Sequence, residues 1–175
     1  MKKSWFPAYF AALLALVLAL SPALSCANAR IDGFLDGLFA YMAKGGSLLS
    51  RPRGAPLYRY ASEDSDFVSE SYALSSGSEI GYGYSLDEGY ESLSWTLPRS
   101  FAGSDRVFTL SLRYMFGLSG EEADFILDAL KNSVLDGVAM FENGSMVLNY
   151  LVYGSTHTLT IVRFFKQAAF SDRKR

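Results

Sequence analysis

One cysteine, one histidine and five prolines are all that 175 residues supply of those three types. A single Cys excludes an internal disulfide framework and a cysteine-based zinc site, and a single His, His157, excludes any centre that needs two imidazoles. Charge is sparse as well. Only 19% of residues are charged, 16 basic against 18 acidic, for a net charge of −2, which gives nucleic acid no basic footprint to hold. No cofactor, no metal and no nucleic-acid partner is therefore expected. What the chain does have is apolar and aromatic side chains, at 50% and 15%. That composition excludes a disordered polymer, a collagen-like repeat and a coiled coil, and the length suits one domain.

The start reads as a secretory leader. Met1-Lys2-Lys3 is a short basic end, Phe10–Leu20 an apolar run, and Ser21-Pro22 a break before the small residues Ala27-Asn28-Ala29. Basic end, apolar middle and A-x-A are the three parts of a cleavable signal peptide, here residues 1–29. The apolar run is shorter than the ~20 residues that span hydrocarbon. Export to the periplasm or the exterior is expected, with no transmembrane span after cleavage. Cys26 opens a second route, in which the cut falls before it and the thiol is lipidated. Membrane anchoring is expected only in that case, and Leu24 stands one place too close to Cys26 for the usual lipoprotein spacing. Cleavage after Ala29 leaves 146 of the 175 residues and takes the net charge to −4 by removing Lys2 and Lys3. A chain of that size can bury a sufficient core without disulfides.

In the remainder, Ile31, Phe34, Leu35, Leu38 and Met42 recur at helical spacing over 31–44, and Gly45-Gly46 supplies a stop. Gly33 and Gly37 form a G-x-x-x-G pair, but Asp32 and Asp36 beside it argue for an amphipathic helix outside a membrane. Residues 47–60 carry two Pro and three Arg and read as a loop or edge segment. Period-two alternation then predicts strands at 67–74, 80–86, 91–97 and 106–116. Ser119-Gly120-Glu121-Glu122 is a capping box opening a helix whose stripe is Ala123, Ile126, Leu127, Leu130 and Val134. Strands at 138–142 and 146–153 flank Asn143-Gly144, a preferred hairpin pair, and a last strand follows from His157 to Phe165. No fixed-period internal repeat is visible. The expectation is α+β: an antiparallel sheet of six to seven strands with two helices packed on one face, in the order helix, four strands, helix, three strands. The domain should cover residues 30–165, with a basic, frayed tail over 166–175.

The candidate chemistry is thin. His157 has no G-x-S-x-G elbow to serve, and Gly81-Tyr82-Gly83 does not continue into a phosphate-cradling motif. From Tyr60 to Pro98 there are eight acids and no Lys or Arg: Glu63, Asp64, Asp66, Glu70, Glu79, Asp87, Glu88 and Glu91. Paired carboxylates could serve a hydrolase, and Glu63-Asp64-Ser65-Asp66 could hold Ca²⁺, though without EF-hand spacing. The same stretch is rich in Tyr. By parity Tyr82, Tyr84 and Trp95 fall with Ile80 and Leu93 on a buried face, which leaves Tyr60, Tyr72 and Tyr90 as exposed anchors. With Asp87, Glu88 and Glu91 they make the expected binding residues, on an acidic surface suited to a cationic protein or small ligand. The reading is an exported, non-catalytic binding module. A carboxylate-dependent hydrolase and a small outer-membrane β-barrel are the alternatives.

Overall fold

The structure, a computed structural model, describes residues 29–74 and 77–165. Residues 1–28, which hold most of the expected leader and Cys26, and Ser75, Ser76 and the expected tail over 166–175 lie outside the described residues. The chain divides into two compact units, residues 1–34 and 35–175. Of the first, residues 29–34 are described and are helical; helix α1 covers 29–44.

The second unit is α+β. Its strands are β1 Tyr58–Ala61, β2 Val68–Ala73, β3 Glu79–Ser85, β4 Tyr90–Pro98, β5 Val138–Asn143, β6 Met146–Tyr153 and β7 Thr156–Phe164, with helices α2 Ser104–Phe116 and α3 Gly120–Asn132 between β4 and β5. All seven strands pair antiparallel in one sheet, in the order β1-β2-β3-β4-β7-β6-β5. The arrangement is two meanders, β1–β4 and β5–β7, whose last strands meet at the centre. The two ends of the sheet, β1 and β5, do not pair with each other, so the sheet is open and keeps two edges.

One sequence expectation is refined here and one is corrected. The loop or edge segment read over 47–60 ends in the edge strand β1, and the segment expected as a strand at 106–116 is helix α2. Phe108, Leu110, Leu112, Tyr114 and Phe116 do alternate, but Val107, Ser111 and Met115 also recur every four residues and are all buried. Both periods are present because α2 is buried on most of its circumference, and an apolar run of that kind does not declare its period. Its boundary signals are helical ones: Asp105 in the first turn, Arg113 in the last, and Gly117 in the left-handed region with its N–H bonded to the Arg113 carbonyl.

Helix α3 is capped as its sequence requires. Ser119 Oγ accepts from the Glu122 N–H, and the Ser119 N–H donates to Glu122 Oε2 at 2.9 Å. It ends at Asn132, four residues before Asp136-Gly137, which form a two-residue turn at φ 50° and 84°. Leu135 and Val138 close that turn by exchanging backbone hydrogen bonds of 2.9 and 3.0 Å. A Cβ on Gly137 would lie 2.8 Å from the Val152 carbonyl oxygen. Gly137→Ala is therefore expected to lower stability by about 1–3 kcal/mol, read from urea unfolding.

Alternation along the strands decides which face is covered. Tyr72, Ile80, Tyr82, Leu93, Trp95, Leu97, Leu148, Tyr150, Leu159 and Ile161 are buried and share one side of the register. Helices close over that side. Trp95 Nε1 donates to Ser111 Oγ of α2 at 2.8 Å, the Phe39 ring of α1 meets Trp95 edge-on at 6.0 Å, and Phe108 of α2 reaches Tyr150. Leu35, Leu38 and Met42 of α1 are buried, and the Tyr114 hydroxyl packs where a side chain on Gly37 would stand.

Candidate functional site on the open sheet face

The residues of opposite parity make the other face. They are small and neutral in the middle of β2, β3 and β4, while Glu79 on β3 and Glu142 on β5 bring acid to the same face. Val138, Met140, Leu151 and Tyr153 leave its β5–β6 end apolar. Ser69 and Ser71 on β2, Gly81 and Gly83 on β3, and Ser92 and Ser94 on β4 stand opposite one another in register. A depression of about 220 Å³ lies over them, walled by Tyr58 and Phe67. Of the two glycines, Gly81 keeps it open, because a side chain there would fill the space above the pleat, while the Phe67 ring stands over Gly83. They differ in tightness. A Cβ on Gly83 would come 2.7 Å from Ser69 Cβ and 3.1 Å from the Phe67 ring, whereas one on Gly81 would meet nothing nearer than 3.6 Å.

Phe67 also belongs to a row of rings along one end of this face. Tyr60 to Phe67, Phe67 to Tyr90 and Tyr90 to Phe164 are spaced 6.0, 5.9 and 6.0 Å between centroids, the middle pair stacked at 26°. On the far side of the depression the hydroxyls continue: Thr96 and Thr158 sit 3.0 Å apart, with Thr160 next along β7. The face thus offers hydroxyls in the middle and flat rings at the margin.

The six residues expected to bind do not come together. Tyr60 is 43% exposed and lies on the open face with Tyr90. Burial, and then the charge and hydrogen bond of Glu88 and the charge of Asp66, raise the Tyr90 phenol above its ordinary value. Asp87 and Glu88 are exposed in the β3–β4 turn. Tyr72 and Glu91 are corrections. Both are buried on the helix-covered side, at 7% and 3% exposure. The Tyr72 hydroxyl donates to Glu70, Tyr82 donates to Glu91 Oε2 at 2.7 Å, and each carboxylate is paired with an arginine, Glu70 with Arg59 and Glu91 with Arg163.

The acidic run is accordingly less of a surface than its composition implies. Asp66 is engaged by the β3–β4 turn, where its carboxylate accepts from Ser85 Oγ and from the N–H groups of Leu86 and Asp87 at 2.6 and 3.0 Å. Burial opposes its charge, yet those hydrogen bonds from Ser85, Asp87 and Leu86 together outweigh it and hold the acid below its usual value. Among the described residues no three His, Cys, Asp or Glu side chains are grouped to hold a metal ion.

His157 is buried between Phe108, 5.1 Å away, and Tyr150, whose hydroxyl lies 3.0 Å from Nδ1. Burial pushes its pKa below the ordinary 6.5; the charge of Asp105 opposes that shift, and Lys131 and Arg99 add to it. The folded chain thus keeps His157 neutral where the unfolded chain takes up a proton. The associated stability is whole above pH 6.5 and is lost as the pH falls through the lower folded value. His157→Gln is expected to flatten this part of the pH dependence of the urea midpoint. An unchanged slope between about pH 7 and 5 would show that other groups carry it.

A second depression, about 420 Å³, lies between the α1–β1 and β4–α2 loops beside Leu48, Phe101 and Arg106. The Arg106 guanidinium is held by the Gly45 carbonyl, and the rest of the lining is mostly apolar or glycine. The open face is the better site. In the sequence, Gly81, Gly83, Ser92 and Ser94 stand in the parity opposite the buried side chains, and their small size is the signal for a depression. No helix among the described residues is long and apolar enough to cross a membrane. Compared with family models, curated proteins and solved structures, the chain matches none.

Proposed function

We propose that the chain is an exported, non-catalytic binding module that holds its ligand on the open sheet face. The leader pattern of residues 1–29 supports export to the periplasm or the exterior, with lipid anchoring through Cys26 as the alternative. The observation that carries the binding reading is the depression over Gly81 and Gly83, with serine hydroxyls around it and Tyr58 and Phe67 as walls. A concave patch with a few polar groups and aromatic walls is the usual form of a ligand site. The floor of the depression is uncharged, so a cationic partner would meet acid outside it, at Glu79 on the same face and at Asp87 and Glu88 in the β3–β4 turn. Glu70 and Glu91 are engaged by arginines and tyrosines on the covered side, which gives no support to a carboxylate-dependent hydrolase.

Amide chemical shifts recorded with a library of uncharged small fragments test this. Bound fragments should shift Ser71, Gly81 and Ser94, and Gly81→Val, whose side chain rises into the depression, should abolish the shifts without unfolding the chain. Fragments that move only residues near Phe101 and Arg106, and that ignore Gly81→Val, would overturn the assignment.

A further inference from the structure

We infer that the ligand of the open face is a neutral polysaccharide strand lying across the β-strands. This rests on the reading of that face as the binding surface and goes further by naming the chemistry.

The polar groups of the face select the class. Ser71, Gly81, Ser94, Thr160 and Asn149 stand opposite one another across β2, β3, β4, β7 and β6. At the spacing of sheet strands this row runs about 19 Å, several sugar rings in length. Hydroxyls and an amide each donate and accept, as do the hydroxyls of a sugar. An anionic polymer would need cations, and the row has none. Glu70, the one charged residue lining the depression, turns its carboxylate to the other face, where Arg59 and Tyr72 take it.

A peptide fits the row less well. Strand backbone groups are taken up by the ladder, so the face has no N–H and C=O rows to pair with another main chain. The walls complete the match. Tyr58, 60% exposed, and Phe67 stand at the depression and supply aromatic surface there for the C–H side of a sugar ring. The depression at Gly81 gives one ring a seat between these walls, and the hydroxyl row continues beyond it.

The test is affinity electrophoresis of the full chain in native gels containing dextran, laminarin, soluble starch or hydroxyethylcellulose, with alginate and heparin as anionic comparisons. At least one neutral polymer should retard the chain, and the anionic ones should not. Gly81→Val should weaken that retardation about tenfold or more, because its side chain clashes with a ring in the seat. Thr160→Val and Asn149→Ala should weaken it roughly two- to tenfold, as for the loss of one hydrogen bond. Phe125→Ser, on the exposed face of α3, should leave it unchanged, and melting temperatures confirm that each variant is folded. If no neutral polymer retards the chain, or if Gly81→Val has no effect on a retardation that is seen, the inference is wrong. If no polysaccharide binds but Gly81→Val still abolishes fragment binding, the sugar assignment falls and the binding face stands. If fragment binding is also indifferent to Gly81→Val, both fall.

Discussion

Trp95→Ala is expected to cost about 3–5 kcal/mol of folding stability, the largest loss from any single truncation among the described residues. Trp95 is fully buried at the centre of β4, next to the β4–β7 seam where the two meanders join. It meets α1 through Phe39 and α2 through Ser111. Truncation removes the largest fully buried side chain among the described residues and takes from the Ser111 hydroxyl the indole N–H it accepts from, leaving its bond to the Val107 carbonyl. That is a large share of what a domain of this size has to lose, on the order of 5–15 kcal/mol in total. Urea unfolding followed by far-UV circular dichroism measures it. A loss under about 1.5 kcal/mol, well below the range for a buried aromatic, would mean that α1 and α2 do not close on Trp95.

Arg163→Met should come next, at about 3 kcal/mol. Arg163 reaches from β7 to two acceptors at once, the Glu91 carboxylate and the Met115 carbonyl near the end of α2. The Glu91 side chain is only 4% exposed, so removing its counter-ion strands a charge away from water. Such a loss is usually about 3–5 kcal/mol and is tempered here by the partial exposure of Arg163. Adding Glu91→Gln to the same chain should restore much of the stability, because the stranded charge is then gone. If the double variant is no more stable than Arg163→Met alone, the loss comes from the α2 contact and not from the ion pair.

Much of the fold is legible in the residues themselves. The capping box at Ser119, the alternations at 80–86 and 91–97, and Gly154-Ser155 between β6 and β7 are local signals that tertiary structure had no reason to override. Helix α2 was not legible, because a segment buried on most sides satisfies both periods. Tyr72 and Glu91 mislead for another reason. Glu91 shares parity with Leu93 and Trp95, which points it inward, but a buried carboxylate is only reasonable once its arginine is known, and Arg163 is far along the chain. Tyr72 is judged by Glu70 beside it in parity, which looks like a surface residue until Arg59 is placed opposite. The open face was half legible. Its Gly and Ser parity is plain in the sequence, while the depression depends on the register of three strands.

Thiol labelling tests the central claim most directly, namely that helices cover one face of the sheet and leave the other free to work. Two variants of the full chain are compared, each carrying Cys26→Ala so that it holds a single cysteine. One adds Ser94→Cys, on the open face, and the other adds Ala139→Cys, on the covered face of β5. Under native conditions the Ser94→Cys variant should react with a bulky maleimide at a rate near that of an exposed thiol. The Ala139→Cys variant should react only when urea opens the fold. Equal protection of the two would contradict the account, because the face that carries the proposed site would then already be covered.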